Sequence, residues 1–114
     1  MKKTVARWLV FGFGAMICAV LSLAIMPETG AAEKTGEALF KEHCSMCHPD
    51  GTNIINPKKT LHKKDREANN VKTEDEIVKL IRNPGPGMTK FDPNVLSEKD
   101  AREIAKYIIK TYNK

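Results

Sequence analysis

The sequence has little cysteine, histidine or aromatic side chain, and these shortages exclude several classes of protein. Only three cysteines and three histidines occur in 114 residues. A structural zinc site needs four such ligands close together, and Cys18 stands apart from the other two cysteines in an apolar stretch. No segment alternates apolar and polar residues as a half-buried strand does. The formal net charge of +5, without a basic tail interleaved with aromatics, does not indicate nucleic-acid binding.

The other two cysteines belong to one motif, Cys44-Ser45-Met46-Cys47-His48. A C-x-x-C-H string is the attachment site of c-type haem, because two thiols at this spacing can reach the two vinyl groups on one edge of a porphyrin. The motif therefore predicts covalent haem attachment at Cys44 and Cys47 and proximal iron coordination by His48. The alternative is a dithiol redox pair, but a thioredoxin-like motif follows a strand in a βαβ unit, and no such strand is indicated.

Residues 1–32 differ in composition from the rest of the chain. Basic residues open the segment, an almost purely apolar run follows from Trp8 to Met26, and small residues close it at Gly30-Ala31-Ala32. This order is typical of a secretory signal peptide. The sequence therefore predicts a signal at 1–32, a single domain at 33–114, and a location in the periplasm or at the outer face of the cytoplasmic membrane of a bacterium.

Two alternatives remain open for this segment. The apolar run at residues 8–26 is nearly long enough to cross a bilayer, so it could stay uncleaved as a membrane anchor. Cys18 could instead be lipidated, although the bulky Ile17 precedes it where a lipoprotein signal has a small residue. A cysteine that acts as a small hydrophobe is the simpler interpretation of Cys18.

The domain at 33–114 carries helical signals throughout, which predicts an all-α fold. The expected helices are Gly36 to Cys44 after an N-cap at Thr35, a short one from Thr60 to Ala68, one from the capping box Thr73-Glu74-Asp75-Glu76 to Asn83, and one that opens at Ser97. A domain this small has a limited core and usually needs a further stabilising element, or staple, such as a disulfide, a metal or a bound cofactor. A covalently held haem would supply that staple.

A second segment with chemical content is Asn83-Pro84-Gly85-Pro86-Gly87-Met88. Its prolines and glycines predict a stiff loop, and a thioether can coordinate iron opposite a histidine. From this segment alone, Met88 is equally well interpreted as an iron ligand or as a side chain that fills the core. Other candidates for the distal ligand are weaker. Met46 and His43 lie beside the attachment cysteines and cannot reach the far face, and His62 stands among lysines typical of a solvated surface.

Four segments together resemble a known family: Gly36-x-x-x-Phe40 ahead of the haem motif, Gly51-x-Asn53-x-Ile55-x-Pro57-x-Lys59-Thr60-Leu61, Met88-x-x-Phe91, and Ile104-Ala105-x-Tyr107-Ile108. The chain resembles the class I cytochromes c, particularly the cytochrome c6-type proteins and their single-haem relatives in metal-respiring bacteria. The resemblance covers roughly residues 35–112. It implies the class I cytochrome c fold, with three to four short helices around one covalently attached haem.

The resemblance also implies roles for individual residues. Met88 becomes the distal ligand of the haem iron. The backbone carbonyl of Pro57 should accept a hydrogen bond from the ring of His48 and so fix its orientation. Gly36 should lie where the first and last helices cross, with Phe40 in the same contact.

Two classes of function follow from these expectations. A six-coordinate iron leaves no open position for substrate, so the leading hypothesis is a monomeric, non-enzymatic one-electron carrier between redox-partner proteins outside the cytoplasmic membrane. The alternative is a haem-based small-ligand sensor or a haem enzyme with a labile distal site. The electron donor and acceptor are not indicated. The lysine cluster formed by Lys58, Lys59, Lys63 and Lys64 either steers an acidic partner or is an ordinary solvated face.

Overall fold

The computed structural model describes residues 32–114, so the predicted signal segment, apart from its last residue, and Cys18 lie outside the described residues. The described elements are α1 (Gly36–His43), a 3₁₀ turn (Pro49–Gly51), α2 (Lys63–Ala68), α3 (Glu74–Arg82) and α4 (Glu98–Thr111). Residues 32–114 contain no strand, which confirms the all-α prediction. None of the helices in this part of the chain has the length and apolar character needed to cross a membrane.

Local capping explains where three of the helices begin. The Thr35 hydroxyl accepts a hydrogen bond from the Ala38 N–H at the start of α1, and Ser97 caps α4 through the Asp100 N–H. At α3 the side chains of Thr73 and Glu76 each accept a hydrogen bond from the other residue's backbone N–H. These contacts satisfy N–H groups that have no partner within the helix. The predicted starts of these helices are therefore confirmed.

The predicted start of the second helix, Thr60, is wrong. The helix α2 begins at Lys63, with His62 in an extended conformation as its N-cap. Two hydrogen bonds to other segments occupy N–H groups at this start: the Leu61 N–H donates to the Gly51 carbonyl, and the Lys63 N–H, the first of the helix, donates to the Tyr112 carbonyl. Neither partner can be identified from the local sequence.

The core forms where α4 packs against α1 and α3. Ten buried apolar side chains make it up: Leu39, Phe40, Ile77, Val78, Ile81, Leu96, Ala101, Ile104, Ala105 and Ile108. At the crossing of α1 and α4, a Cβ on Gly36 would lie 2.2 Å from the Glu103 carbonyl oxygen. The rings of Phe40 and Tyr107 pack in this contact with centroids 5.2 Å apart. The absence of a side chain at Gly36 therefore allows the two helices to touch.

We predict that Gly36→Ala destabilises the protein by about 2 kcal/mol, because overpacking of a tight contact costs about 1–3 kcal/mol and the nearest atom is backbone. The sign of the change in unfolding free energy is informative, since an unhindered glycine-to-alanine change in a helix stabilises a protein by about 0.5–1 kcal/mol. Denaturant unfolding of the haem-loaded protein measures the effect. A Gly36→Ala midpoint at or above that of the wild type would contradict the packing role.

Candidate functional site

The haem motif folds as a tight turn directly after α1. The Cys44 N–H donates to the Phe40 carbonyl at 2.8 Å, and the Cys44 carbonyl then accepts from Cys47 N–H at 3.2 Å and from His48 N–H at 2.9 Å. Because one carbonyl receives two successive N–H groups, the chain curls around it. This turn brings the side chains of Cys44, Cys47 and His48 to the same cavity.

That cavity has a volume of about 310 Å³. Met88 lines it together with Cys44, Cys47 and His48, so the structure brings together all four residues singled out from the sequence. Its apolar lining includes side chains from both α3 and α4, among them Leu80, Ile81, Ile104 and Ile108. Two thiols, an imidazole and a thioether therefore face an apolar space between the helices.

A backbone hydrogen bond fixes the protonation pattern of the His48 ring. His48 is buried, and its Nδ1 lies 2.8 Å from the carbonyl oxygen of Thr52. Since a carbonyl can only accept, Nδ1 carries a proton, and in the neutral ring Nε2 then has the free lone pair. The expectation that Pro57 accepts this bond is wrong. The 3₁₀ turn at Pro49–Gly51 folds the chain back immediately after His48, which brings the nearer Thr52 carbonyl to the ring.

The Cys44 thiol lacks the character of a reactive redox cysteine. Burial, and to a lesser degree the nearby Cys47, raises the pKa of Cys44 to about 11. Redox-active cysteines in C-x-x-C motifs instead have lowered pKa values, because the thiolate is the reactive form. The structure therefore argues against the dithiol redox pair.

The loop after α3 places Met88 in the cavity lining. The helix α3 ends at Arg82 with Asn83 as its C-cap, which agrees with the predicted stop before Pro84, and the chain then runs through the proline- and glycine-rich segment. Gly87 adopts φ +90°, a left-handed conformation that favours glycine. A Cβ there would also lie 3.2 Å from the Ile55 side chain. The loop therefore packs closely against Ile55 immediately before Met88.

The competing distal ligands occupy other positions. Met46 is 88% exposed and does not line the cavity. His62 also lies outside the lining, and it is half-buried against the Tyr112 ring rather than fully solvated. His43 does line the cavity, but its ring packs edge-on against Phe91 with centroids 5.7 Å apart. Of the candidates, His43 and Met88 line the cavity, and the ring contact of His43 with Phe91 favours Met88 as the distal ligand.

A polar end of the cavity was not anticipated from the sequence. Arg66 is only 5% exposed, lines the cavity, and donates through Nε to the Leu61 carbonyl at 2.8 Å. Desolvation by this burial lowers the pKa of Arg66 from its ordinary value. The sequence signal for this burial is that an arginine stands in a segment otherwise rich in lysine, because arginine is the cation that proteins place in buried hydrogen-bonded sites.

The donor set and the shape of the cavity fit a c-type haem. The two thiols have the spacing for covalent attachment, and an imidazole and a thioether can supply two axial ligands. The apolar helix faces suit the porphyrin plane, while the buried guanidinium of Arg66 can offset the negative charge of the haem carboxylates.

Comparison with known sequences decides the family. The family model described as cytochrome c oxidase, cbb3-type, subunit III matches residues 31–108. Cytochrome c6 of Cyanidium caldarium is 35% identical over 79 residues, which are 69% of this chain and 71% of that protein. Cytochrome c6 of Rippkaea orientalis is 33% identical over 102 residues, or 90% and 86% of the two chains.

This chain belongs to the c6-like class I cytochromes c. Among solved structures, the cytochrome is similar to OmcF, the outer membrane cytochrome F from Geobacter sulfurreducens. The two are 41% identical with a TM-score of 0.67, and the match covers 68% of this chain and 99% of that one. The fold and family implied by the sequence are thereby confirmed. The cytochrome carries a covalently bound haem c and is a single-haem electron carrier that exchanges electrons with redox partners.

Proposed function

We propose that Cys44 and Cys47 bind the haem covalently and that His48 and Met88 coordinate its iron from opposite faces. The observation that carries this proposal is that all four side chains line one cavity, whereas Met46 and His62 do not. The order of the chain supports it as well, since the motif that begins at Cys44 and the loop that ends at Met88 reach the cavity from different helices.

Each ligand is prepared by its own part of the fold. The Thr52 carbonyl keeps the proton on His48 Nδ1, so Nε2 is available to bind iron and the ring cannot turn freely. Met88 is held at the end of a loop stiffened by two prolines. When bound, the haem iron supplies the ferric–ferrous couple that holds the transferred electron. Because the chain supplies both ligands in both oxidation states, little of the structure has to reorganise.

We further propose that this electron carrier has no additional role as an enzyme or a ligand sensor. Both of those functions need an open or labile sixth position at the iron. Two other polar side chains of the cavity, His43 and Arg66, are engaged in contacts with Phe91 and with the Leu61 and Val71 carbonyls. These contacts favour a structural role for both residues.

The absorption spectrum of the ferric protein tests the axial-ligand proposal. Sulfur–iron coordination gives a weak far-red band, which we expect in the wild type and in Met46→Leu. We expect the band to be lost in Met88→Leu, since leucine keeps the apolar volume but has no sulfur. Survival of the band in Met88→Leu, or its absence from the wild type, would refute coordination by Met88.

We propose that the chain is exported, matures by cleavage after Ala32, and works as a monomer in the periplasm. Its support is the composition of residues 1–32 together with c-type haem attachment, which takes place outside the cytoplasm. Intact-mass measurement of the exported holoprotein should give residues 33–114 plus one haem. A mass that includes residues 8–26 would show a retained anchor, and cleavage before a lipid-modified Cys18 would show a lipoprotein.

We also propose that the lysine cluster steers an acidic redox partner toward the haem cavity. All four side chains are exposed, and Lys59 lies in the cavity lining. The bimolecular electron-transfer rate with the native partner should therefore fall as ionic strength rises. Lys58→Glu/Lys59→Glu should lower the rate at low salt and flatten its salt dependence. A rate that is flat in the wild type would assign these lysines to an ordinary solvated face.

A further inference from the structure

The far end of the Met88 loop is attached to the helix from which the loop departs. The chain leaves α3 at Arg82 and returns to it at Phe91, whose N–H donates to the Ile81 carbonyl at 3.1 Å. That carbonyl lies in the last turn of α3, where carbonyl groups lack partners within the helix. Residues 83–90 therefore form a closed loop with both ends on the final turn of α3.

Arg82 makes a second connection to the same point. Its Nη1 donates to the Phe91 carbonyl at 2.9 Å, and its Nη2 lies 3.4 Å from a carboxylate oxygen of Glu98 at the start of α4. The Arg82 side chain is only 16% exposed. A guanidinium holds two acceptors in a fixed relative geometry, and hydrogen bonds from charged donors are stronger than neutral ones. Arg82 thus links α3, the loop end and α4.

The side chain of Phe91 is held as well. Its ring packs edge-on against His43 of α1 and against the buried core. Phe91 stands three residues after Met88, so any movement that lifts Met88 from the cavity must be absorbed by this short connection or must break the contacts of Phe91. Arg82 itself does not line the cavity, so it can act on the loop without touching the cofactor.

We propose that Arg82 is the positioning residue of the distal loop: by holding the Phe91 carbonyl it keeps Met88 at the cavity and sets how often the loop opens to admit another ligand. The inference rests on the proposed coordination of iron by Met88. The proposal adds a residue that lies outside the cavity and controls how readily another ligand replaces Met88 at the iron.

Imidazole binding to the ferric holoprotein measures loop opening, because at saturating imidazole the observed rate is limited by departure of the protein's own ligand. Arg82→Met keeps the apolar stem and removes both hydrogen bonds. The limiting rate should rise at least about tenfold, as expected for loss of a charged hydrogen bond. Arg82→Lys retains one donor and should show a smaller rise.

The matched control is Arg102→Met. Arg102 also pairs with Glu98, at 3.3 Å, and with Asp75, at 2.7 Å, but it makes no contact with Phe91. Its limiting rate should stay within about twofold of the wild type, as for an exposed ion pair. An Arg102→Met rate raised as much as that of Arg82→Met would assign the effect to the shared charge network and overturn the proposal.

Hydrogen exchange separates loop opening from global unfolding. In Arg82→Met the Phe91 amide should exchange at least about tenfold faster, while the Ile104 and Ala105 amides of the core change much less. A uniform increase in exchange across α4 would mean general destabilisation and would overturn the positioning role. Should Arg82→Met not mature, the same comparison is made with Arg82→Lys.

The two proposals fail in different ways. Absence of the far-red band from the wild-type ferric protein refutes the Met88 ligand, whatever Arg82 does. A wild-type band together with an Arg82→Met imidazole rate and a Phe91 exchange rate equal to those of the wild type refutes the Arg82 proposal and leaves Met88 coordination intact.

Discussion

Replacing Met88 with histidine should leave a folded, six-coordinate protein whose reduction potential is lower by on the order of 0.2 V, within the roughly 0.8 V range that axial ligands span. The soft thioether stabilises ferrous iron, whereas a second imidazole favours the ferric state more. Met88 lines the cavity at the end of the distal loop, so a side chain of similar length at this position can reach the iron. Spectroelectrochemical titration measures the change.

Met46→His is the matched control for this change. It introduces the same imidazole at a methionine that is 88% exposed and lies outside the cavity lining. Its potential should stay within a few hundredths of a volt of the wild type, on the order expected for one exposed group screened by solvent. Equal reduction potentials for Met88→His and the wild type would contradict coordination of the iron by Met88.

The double variant Cys44→Ala/Cys47→Ala should be largely unfolded. Without covalent attachment the haem is readily lost, and the remaining cavity of about 310 Å³ corresponds to at most about 7 kcal/mol at about 24 cal/mol per Å³. That is comparable to the whole stability of a typical domain, about 5–15 kcal/mol. The core of residues 32–114 is small, and α2 has only six residues. Far-ultraviolet circular dichroism during heating measures the loss.

The single variant Cys47→Ala provides the comparison. It keeps one thioether, the His48 ring and the Met88 loop, and should unfold cooperatively at a temperature between those of the wild type and the double variant. A cooperative transition of the double variant at the wild-type temperature would show that the polypeptide alone specifies the fold.

Much of the fold could be predicted because its signals are local. The N-caps at Thr35, Thr73 and Ser97 each act within three residues of the chain, so the sequence carries them in full. The haem motif is equally local, since its turn is closed by hydrogen bonds from the Cys47 and His48 N–H groups to the Cys44 carbonyl. The packing role of Gly36 was implied by the family resemblance, and the close approach of the Glu103 backbone gives its physical reason.

The features that were missed depend on how the non-helical segments fold. The Lys63 N–H at the start of α2 donates to the Tyr112 carbonyl, just after α4, and the buried Arg66 donates to carbonyl groups on both sides of α2. The family resemblance implies that the Pro57 carbonyl accepts the hydrogen bond of the His48 ring, but the turn at Pro49–Gly51 brings the Thr52 carbonyl there instead. None of these outcomes can be read from helical spacing.

Addition of carbon monoxide to the reduced wild-type protein tests the carrier function most directly. An iron with His48 and Met88 as ligands has no free position, so the ferrous absorption spectrum should remain unchanged at saturating carbon monoxide and neutral pH. Met88→Ala, measured beside it, should convert to the carbon monoxide form at once. Rapid and complete binding by the wild type would contradict a closed electron carrier and favour a ligand sensor or a haem enzyme.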